Sequence, residues 1–396
     1  MLHQHFSLSN GSQPGRGSSL AEALAAQGHD VTLICGMYVG GSAGAVSPFG
    51  FGYRSSFVSG YRIIQIRLPY SNALKALQRL KIFLLYSIAV FQHAFRHPWD
   101  LVIGTSTPLT IVIPLMVLRV FWRARCIFEV RDRWPELLVA MNAISAPSAI
   151  FLGFLERVSK QIADMYVGLS PTVISGFQEI GCRLGSIHLI SNGWDIDHFK
   201  DRRFLIERMR GNGGNILAIY LGTIGKANGL DILLDGAKLL QCLEKKVRFL
   251  VVGEGNERER LLWRVVSEGI LNVMFVDPLP RIRLGEILSR ADIAIHCLED
   301  IDAFADGTSP NKIFEAMGAG LPIVTNCQGW IAQRLCEVEA GFAVPPRDRS
   351  AFAEKVAMLA GDSMLRRKMG MAARALAEAE FARTLQKRQF CELIRE

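Results

Sequence analysis

The feature that most constrains this chain is a pattern it runs through twice: short apolar runs of strand composition alternate with helical stretches, stop, and begin again. In the first half Asp30–Cys35, Arg62–Leu68, Leu101–Ile103, Ala124–Val130, Met165–Gly168 and Ile187–Ile190 read as strands. In the second half Asn215–Leu221, Val247–Val252, Val273–Val276, Ile293–Ile295 and Ile323–Thr325 do so, separated by helical stretches such as Leu230–Leu243 and Pro310–Met317. Alternation of this kind is the mark of βαβ units and parallel sheets. A chain of 396 residues is too long for one ordinary core and suits two α/β domains. The polar segment near 197–214, with Gly211, Gly213 and Gly214, has the composition of a hinge. The start is unusual, because only Met1–Phe6 precedes a polar loop at 7–17, so the first strand is expected to be short.

Composition narrows the class. Half of the residues are apolar and 21% are charged, which supplies a large core and excludes a disordered chain. Eight scattered cysteines, with no C-x-x-C and no His/Cys cluster at metal spacing, read as buried thiols in a reducing cytoplasm. The first 30 residues hold no apolar core of a secretory signal. The 18 residues Leu101–Leu118 carry no charge, yet Pro108, Pro114 and the Gly104–Thr107 turn cluster interrupt them. They read as a buried strand, a loop and a buried helix rather than a membrane span.

The net charge of +8 is unevenly placed: residues 1–195 hold 16 Lys/Arg against 10 Asp/Glu. No acidic residue occurs from Val31 to Trp99, an interval that carries Arg54, Arg62, Arg67, Lys75, Arg79, Lys81 and Arg96. Within it Leu74–Phe95 mixes basic and large apolar residues. This reads equally as a helix lying on an anionic membrane surface and as a domain helix with a solvated basic face. No nucleic-acid motif accompanies the charge, and nucleic acid is not expected as a partner.

Three segments carry chemistry. In Ser309-Pro310-Asn311-Lys312-Ile313-Phe314-Glu315, Ser309 is a good N-cap and Pro310 suits the first helical position. A helix N-terminus offers free N–H groups to a phosphate. Lys312 and Glu315 share a helix face, an ammonium for a diphosphate and a carboxylate for a vicinal diol. The same pattern also describes a capped surface helix with an ion pair. Tyr220–Gly229 is a strand, a glycine turn and a helix start whose amides suit the same phosphates, although it is neither a dinucleotide fingerprint nor a P-loop. Together they place two helix starts at the carboxyl edge of one sheet, where ligands bind. Finally, Phe128–Glu136 packs five charged groups at the end of an apolar strand. Asp132 there either binds a sugar hydroxyl or helps activate an acceptor, or the cluster is a salt-bridge set between domains.

In order and spacing these motifs resemble the retaining glycosyltransferases of the GT-B fold, glycosyl transferases group 1 or family 4. The nearest likeness is to the bacterial branch that builds O-antigen, capsule and exopolysaccharide, including acetamido-fucose-type transferases. Ala26–Leu33, Glu129–Glu136, Ser191–Asp195, Leu221–Gly225, Val251–Gly255 and Ser309–Pro322 carry the resemblance across the chain. It implies an α/β GT-B architecture of two Rossmann-like domains with parallel sheets facing a cleft. Residues 1–198 would bind the acceptor, residues 211–375 the nucleotide sugar, and the helix at 376–396 would return to the first domain. The implied donor is a nucleoside-diphosphate sugar, usually UDP-linked. Gly222, Thr223, Gly225, Lys226 and Lys312 would lie at its diphosphate, with Ser309 and Asn311 beside them. Glu315 would grip the ribose, and Val276–Leu279 would read the base.

Catalytic roles fall to Asp132 and Lys312, and the acceptor side to Gly15, Arg16, Gly17, Arg131 and Asn192. No metal or cofactor is implied, and the anomeric configuration would be retained. The expected enzyme is cytoplasmic, peripheral on the inner face of the membrane, and adds a sugar to a lipid-linked or saccharide acceptor as its domains close. The alternatives are a nucleotide-sugar epimerase of the same fold and a degenerate, non-catalytic membrane-associated subunit. Three departures from the family stand out. Gly307 occupies the place of a first glutamate eight residues before Glu315, only Lys226 remains of an Arg and Lys pair, and Arg131 and Asp132 stand where relatives carry a histidine. His93, His97, His188 and His198 read as structural or solvated.

Overall fold

The computed structural model describes residues 1–6, 8, 15–38, 43–45, 47–71, 74, 76–106, 108–141, 144–195, 214–279, 281–301 and 308–395. Most of the 197–214 hinge, with Lys75, His198, Gly307 and most of the loop at 7–17, lies outside them. The chain divides into two compact units. One is Met1–Ser191 with Gly307–Ser309 and Gln386–Glu396; the other is Asn192–Asp306 with Pro310–Leu385.

In the first unit the strands are β1 (Thr32–Tyr38), β2 (Tyr53–Val58), β3 (Tyr61–Tyr70), β4 (Leu101–Thr105), β5 (Arg125–Val130), β6 (Met165–Gly168) and β7 (Ile187–Leu189). Helices α1 (Arg16–Ala26), α2 (Ala76–Ala94), α3 (Val112–Trp122), α4 (Glu136–Ala140), α5 (Ala146–Ile162) and α6 (Pro171–Glu179) lie between them. Strands β4-β5-β6-β7 form one parallel sheet and β1-β3-β2 a second. The expected first strand is reduced to a single bridging residue: Leu2 pairs in parallel with both Ile34 and Gly104 and so joins the two sheets. β2 is a departure from the parallel pattern, since it pairs antiparallel with β3. It escaped the sequence reading because Tyr53–Val58 has neither a continuous apolar run nor alternation, with Arg54, Ser55 and Ser56 in a row, and no residue of it is buried. Alternate residues of β5 face opposite ways, Cys126 and Phe128 into the core under α2, α3 and α5, Ile127 into the core under α1. The charge-free segment resolves into β4, a 3₁₀ turn at Leu109–Ile111 and α3. Among the described residues no helix is long and apolar enough to cross a membrane.

The second unit holds one parallel sheet of order β10-β9-β8-β11-β12-β13. Its strands are β8 (Ile216–Leu221), β9 (Val247–Val252), β10 (Val273–Val276), β11 (Ile293–His296), β12 (Ile323–Thr325) and β13 (Gly341–Ala343). The helices are α7 (Asp231–Cys242), α8 (Arg258–Ser267), α9 (Arg281–Leu288), α10 (Asn311–Gly318), α11 (Trp330–Glu337), α12 (Arg349–Gly361) and α13 (Ser363–Glu380); α14 (Arg383–Arg395) follows and from Gln386 belongs to the first unit. The last turns of α14 put Phe390, Cys391 and Leu393 into the core of the first unit. Trp194 is fully buried in the second unit, where its indole N–H donates to the Ala377 carbonyl at 3.0 Å. Gly318 faces that ring so closely that a Cβ would stand 2.4 Å from it. All eight cysteines are free; six are buried as expected, but Cys242 and Cys336 are exposed. Both lie in the last turn of a helix (α7, α11), where an apolar sequence neighbourhood does not ensure cover.

Candidate functional site

Every strand of the second unit's sheet runs in parallel, so its loops after β8, β9, β10 and β11 share one edge. Two of these loops interlock through backbone alone. Gly222 N–H donates to the Val252 carbonyl at 3.0 Å and Ile224 N–H to the Glu254 carbonyl at 2.9 Å. A Cβ on Gly253 would stand 1.8 Å from the Gly222 carbonyl oxygen, so only glycine permits the approach. This pairing modifies the expected phosphate loop. Two amides of the Gly222–Gly225 turn are spent on the neighbouring loop, and those of Thr223 and Gly225 remain outside the pairing.

Helix α10 opens at the same edge. It begins one residue later than expected: Pro310, in extended conformation, is the cap, no side chain caps the helix, and Ser309 precedes it. Proline holds its own φ near −77° but is here followed by ψ of 113°, which keeps it outside the helix and makes Asn311 the first helical residue. The Asn311 carboxamide oxygen is buried without a hydrogen-bond partner.

Lys312 organises the site. Its ammonium donates to the Tyr220 hydroxyl at 2.9 Å and to Asn228 Oδ1 at 2.6 Å. It also lies 4.6 Å from the centre of the Tyr220 ring. The Tyr220 hydroxyl in turn donates to the Thr223 carbonyl at 2.8 Å, so lysine, strand end and glycine turn form one chain of hydrogen bonds. Burial lowers the Lys312 ammonium to about 8. A Cβ on Gly222 would meet Lys312 Cε at 3.2 Å, so the glycine also makes room for the lysine stem. Glu315 follows three residues along α10. Val276 ends β10, and both it and Leu279 pack half-buried on the core that includes Ile313. Thr223 and Lys226 are exposed, Lys226 in the 3₁₀ turn Lys226–Asn228.

Sequence reasoning singled out Lys312 without its partners. The signal for Tyr220 was available: it is the one hydroxyl-bearing residue in the otherwise aliphatic strand Ile216–Leu221. His296, at the end of β11, was also missed. Its Nδ1 lies 2.9 Å from Thr325 Oγ1, and burial together with the Lys312 charge holds the imidazole neutral, well below its usual range.

In the first unit the charged cluster after β5 separates into three parts. Glu129 and Arg16 form a buried pair at 2.8 Å, and Arg16 also donates to the carbonyls of Ser191 and Ile190 at 2.7 and 2.9 Å. The Arg16 guanidinium, expected on the acceptor side, is therefore occupied in holding α1 to the sheet. Removing one partner of such a pair costs about 3–5 kcal/mol. Arg133 turns outward to Glu136 and Glu179. Arg131 and Asp132 remain at the carboxyl edge; burial raises the Asp132 carboxyl and Arg131 partly offsets this.

Residues 3–5 emerge at this edge directly after the Leu2 bridge. Both ring nitrogens of His3, both amide atoms of Gln4 and Nε2 of His5 are buried without hydrogen-bond partners. Gly17 is explained here, since a Cβ on it would stand 2.9 Å from the His3 ring. Gly15 is the residue preceding α1. Asn192 is buried and belongs to the second unit, beside a turn held by Arg383, which donates to the Gly193 carbonyl at 2.8 Å.

Residues 16–193 match the glycosyl transferase 4-like domain and residues 215–362 match glycosyl transferases group 1. The amylovoran biosynthesis glycosyltransferase AmsK of Erwinia amylovora is 25% identical over 220 residues, which are 54% of this chain and 52% of that protein. The chain thus spans about half the length of this curated relative. Sucrose-phosphate synthase from Thermosynechococcus elongatus matches the structure with a TM-score of 0.77 at 18% identity, covering 100% of this chain and 97% of that one. Anabaena HepE in complex with UDP-glucose gives 0.69 at 17% identity, covering 100% and 98%. The fold is GT-B, an α/β architecture of two units with parallel sheets.

Proposed function

We propose that this chain, which carries a glycosyl transferase 4-like domain followed by a glycosyl transferases group 1 domain, is a retaining glycosyltransferase using a UDP-linked sugar. The observation that carries the reading is the placement of Lys312. A protonated amine, held by Tyr220 and Asn228 beside an interlocked glycine turn, stands in the first turn of α10 at the ligand-binding edge of a parallel sheet. A diphosphate fits there, with Lys312 and the amides of Thr223 and Gly225 around it and Glu315 on the ribose hydroxyls. The UDP-glucose bound by HepE, a protein of the same fold, supports this donor class.

In the reaction the bond from the sugar anomeric carbon to the diphosphate oxygen breaks as an acceptor hydroxyl oxygen bonds to that carbon on the same face. The acceptor proton passes to the departing phosphate oxygen. Lys312 meets the charge that develops on the leaving group, so no metal is required for that task. Asp132 orients the acceptor hydroxyl from the first unit. The acceptor is a lipid-linked saccharide of a bacterial surface polysaccharide, a reading supported by the amylovoran enzyme and by the basic character of the first unit. On this reading the protein works in the cytoplasm, at the inner face of the membrane.

The test is to incubate the protein with a panel of UDP-sugars and lipid-diphosphate saccharide acceptors and to weigh the products by mass spectrometry. Transfer with an unchanged anomeric configuration is expected, and Asp132→Asn should abolish transfer while UDP still binds. Interconversion of the UDP-sugar without acceptor would replace the reading with an epimerase.

A further inference from the structure

Helices α2, α3 and α5 each have two apolar faces. One is buried in the core beneath them: Tyr86, Val90 and Ala94 from α2, Leu115 and Leu118 from α3, Leu152 and Leu155 from α5. The opposite face is exposed. On α2 it is a stripe at helical spacing, Leu84, Leu85, Ile88 and Phe91; on α3 it is Met116, Val120 and Phe121; on α5 it is Ile150, Phe151 and Phe154. Ile88, Val120, Phe121, Ile150 and Phe154 are 56–74% exposed. The three helices pack side by side in the order α2, α3, α5. Phe95 links two of the stripes, with ring centroids 5.1 Å from both Phe91 and Phe121. A helix that is apolar all round is one that is covered, and a contiguous exposed patch of large side chains marks an interaction surface.

Charge selects the occupant. Exposed cations fringe the stripes: Lys81 precedes Leu84 and Leu85 on α2, Arg96 and Arg123 lie at the ends of α2 and α3, and Arg157 and Lys160 follow Phe154. The one acid on α2, α3 and α5 is Glu156, and burial, together with Glu136 of α4, raises its carboxyl to about 7. A second copy docked through the same face would set this basic fringe against itself. An anionic bilayer satisfies both properties, since its headgroups attract the fringe and its acyl boundary takes the apolar stripes.

We infer that the α2–α3–α5 face is a membrane-docking surface that lies flat on an anionic lipid bilayer and inserts its three apolar stripes into the acyl boundary. This rests on the lipid-linked acceptor reading for its purpose, but not for its physics. It also goes further than a basic α2 held by charge alone, because insertion persists in salt that screens the headgroups.

The full chain would be sedimented with phosphatidylcholine vesicles containing about a third phosphatidylglycerol. The wild type should pellet with them and should stay partly bound in high salt. Ile88→Glu, Phe121→Glu and Phe154→Glu combined, one exposed residue per helix, should weaken partitioning by about tenfold or more. The three single serine substitutions at these positions should each weaken it less, with unchanged circular dichroism. Trp263→Glu, Val266→Glu and Leu271→Glu, exposed in the second unit, should not change it. A wild type that stays in solution, or a triple variant that pellets like the wild type, overturns the inference. So does a triple variant that turns an oligomer into a monomer without altering vesicle binding. Calorimetric binding of UDP, measured on the same samples, separates this outcome from failure of the donor reading.

Discussion

The Lys312 ammonium donates to the Tyr220 hydroxyl across 2.9 Å, and both belong to elements that reach the same sheet edge although they stand 92 residues apart in the sequence. Burial lowers this lysine to about 8, so the free protein already begins to lose the charge in mildly alkaline solution. A diphosphate binds the protonated form. UDP affinity should therefore be level below about pH 7 and fall as pH rises through 8 and beyond. Lys312→Met should weaken UDP by about 1.5–3 kcal/mol and flatten that alkaline fall. Calorimetry at pH 7 and 9.5 on both proteins checks it; an equal fall in the variant would mean another group is responsible.

Glu315→Ala should weaken UDP by about tenfold or more, as expected for lost hydrogen bonds to a charged group. The loss should vanish with 2′,3′-dideoxy-UDP, which has no diol to grip. Equal weakening of both nucleotides would assign Glu315 to the helix rather than to the ribose.

Gly253→Ala tests the interlocked loops. Its Cβ would begin 1.8 Å from the Gly222 carbonyl oxygen, which forces the two loops apart. The variant should lose about 2 kcal/mol or more of stability and much of its UDP affinity. Thermal unfolding with and without UDP reads both effects, and a variant matching the wild type in each would show that the loops can separate freely.

His3 and His5 predict acid sensitivity in the first unit. Burial is the main cause that lowers each from 6.5 to about 3. Between those values the unfolded chain binds protons that the folded chain does not. Stability is therefore complete above about pH 6.5 and falls as pH is lowered toward 3. His3→Gln with His5→Gln should flatten this slope in denaturant titrations at pH 7 and 4.5. An unchanged slope would place the acid sensitivity elsewhere.

The sequence by itself determined the two rounds of strand and helix, because buried parallel strands must be continuously apolar and crossover helices amphipathic. Met165–Gly168, Val273–Val276 and Ile323–Thr325 fall where their composition puts them. It also singled out Lys312, Glu315 and the Gly222–Gly225 turn as candidates, since glycine and a helix start leave local marks. Contacts between residues far apart in the chain left no such mark. Tertiary structure alone decided that Leu2 would stand in for a first strand, that Arg16 would be taken by Glu129, and that Tyr220 and Asn228 would hold Lys312. It likewise exposed the second apolar face of α2, α3 and α5. Sequence periodicity reports that a residue is apolar, whereas which apolar face is covered depends on the sheet beneath it.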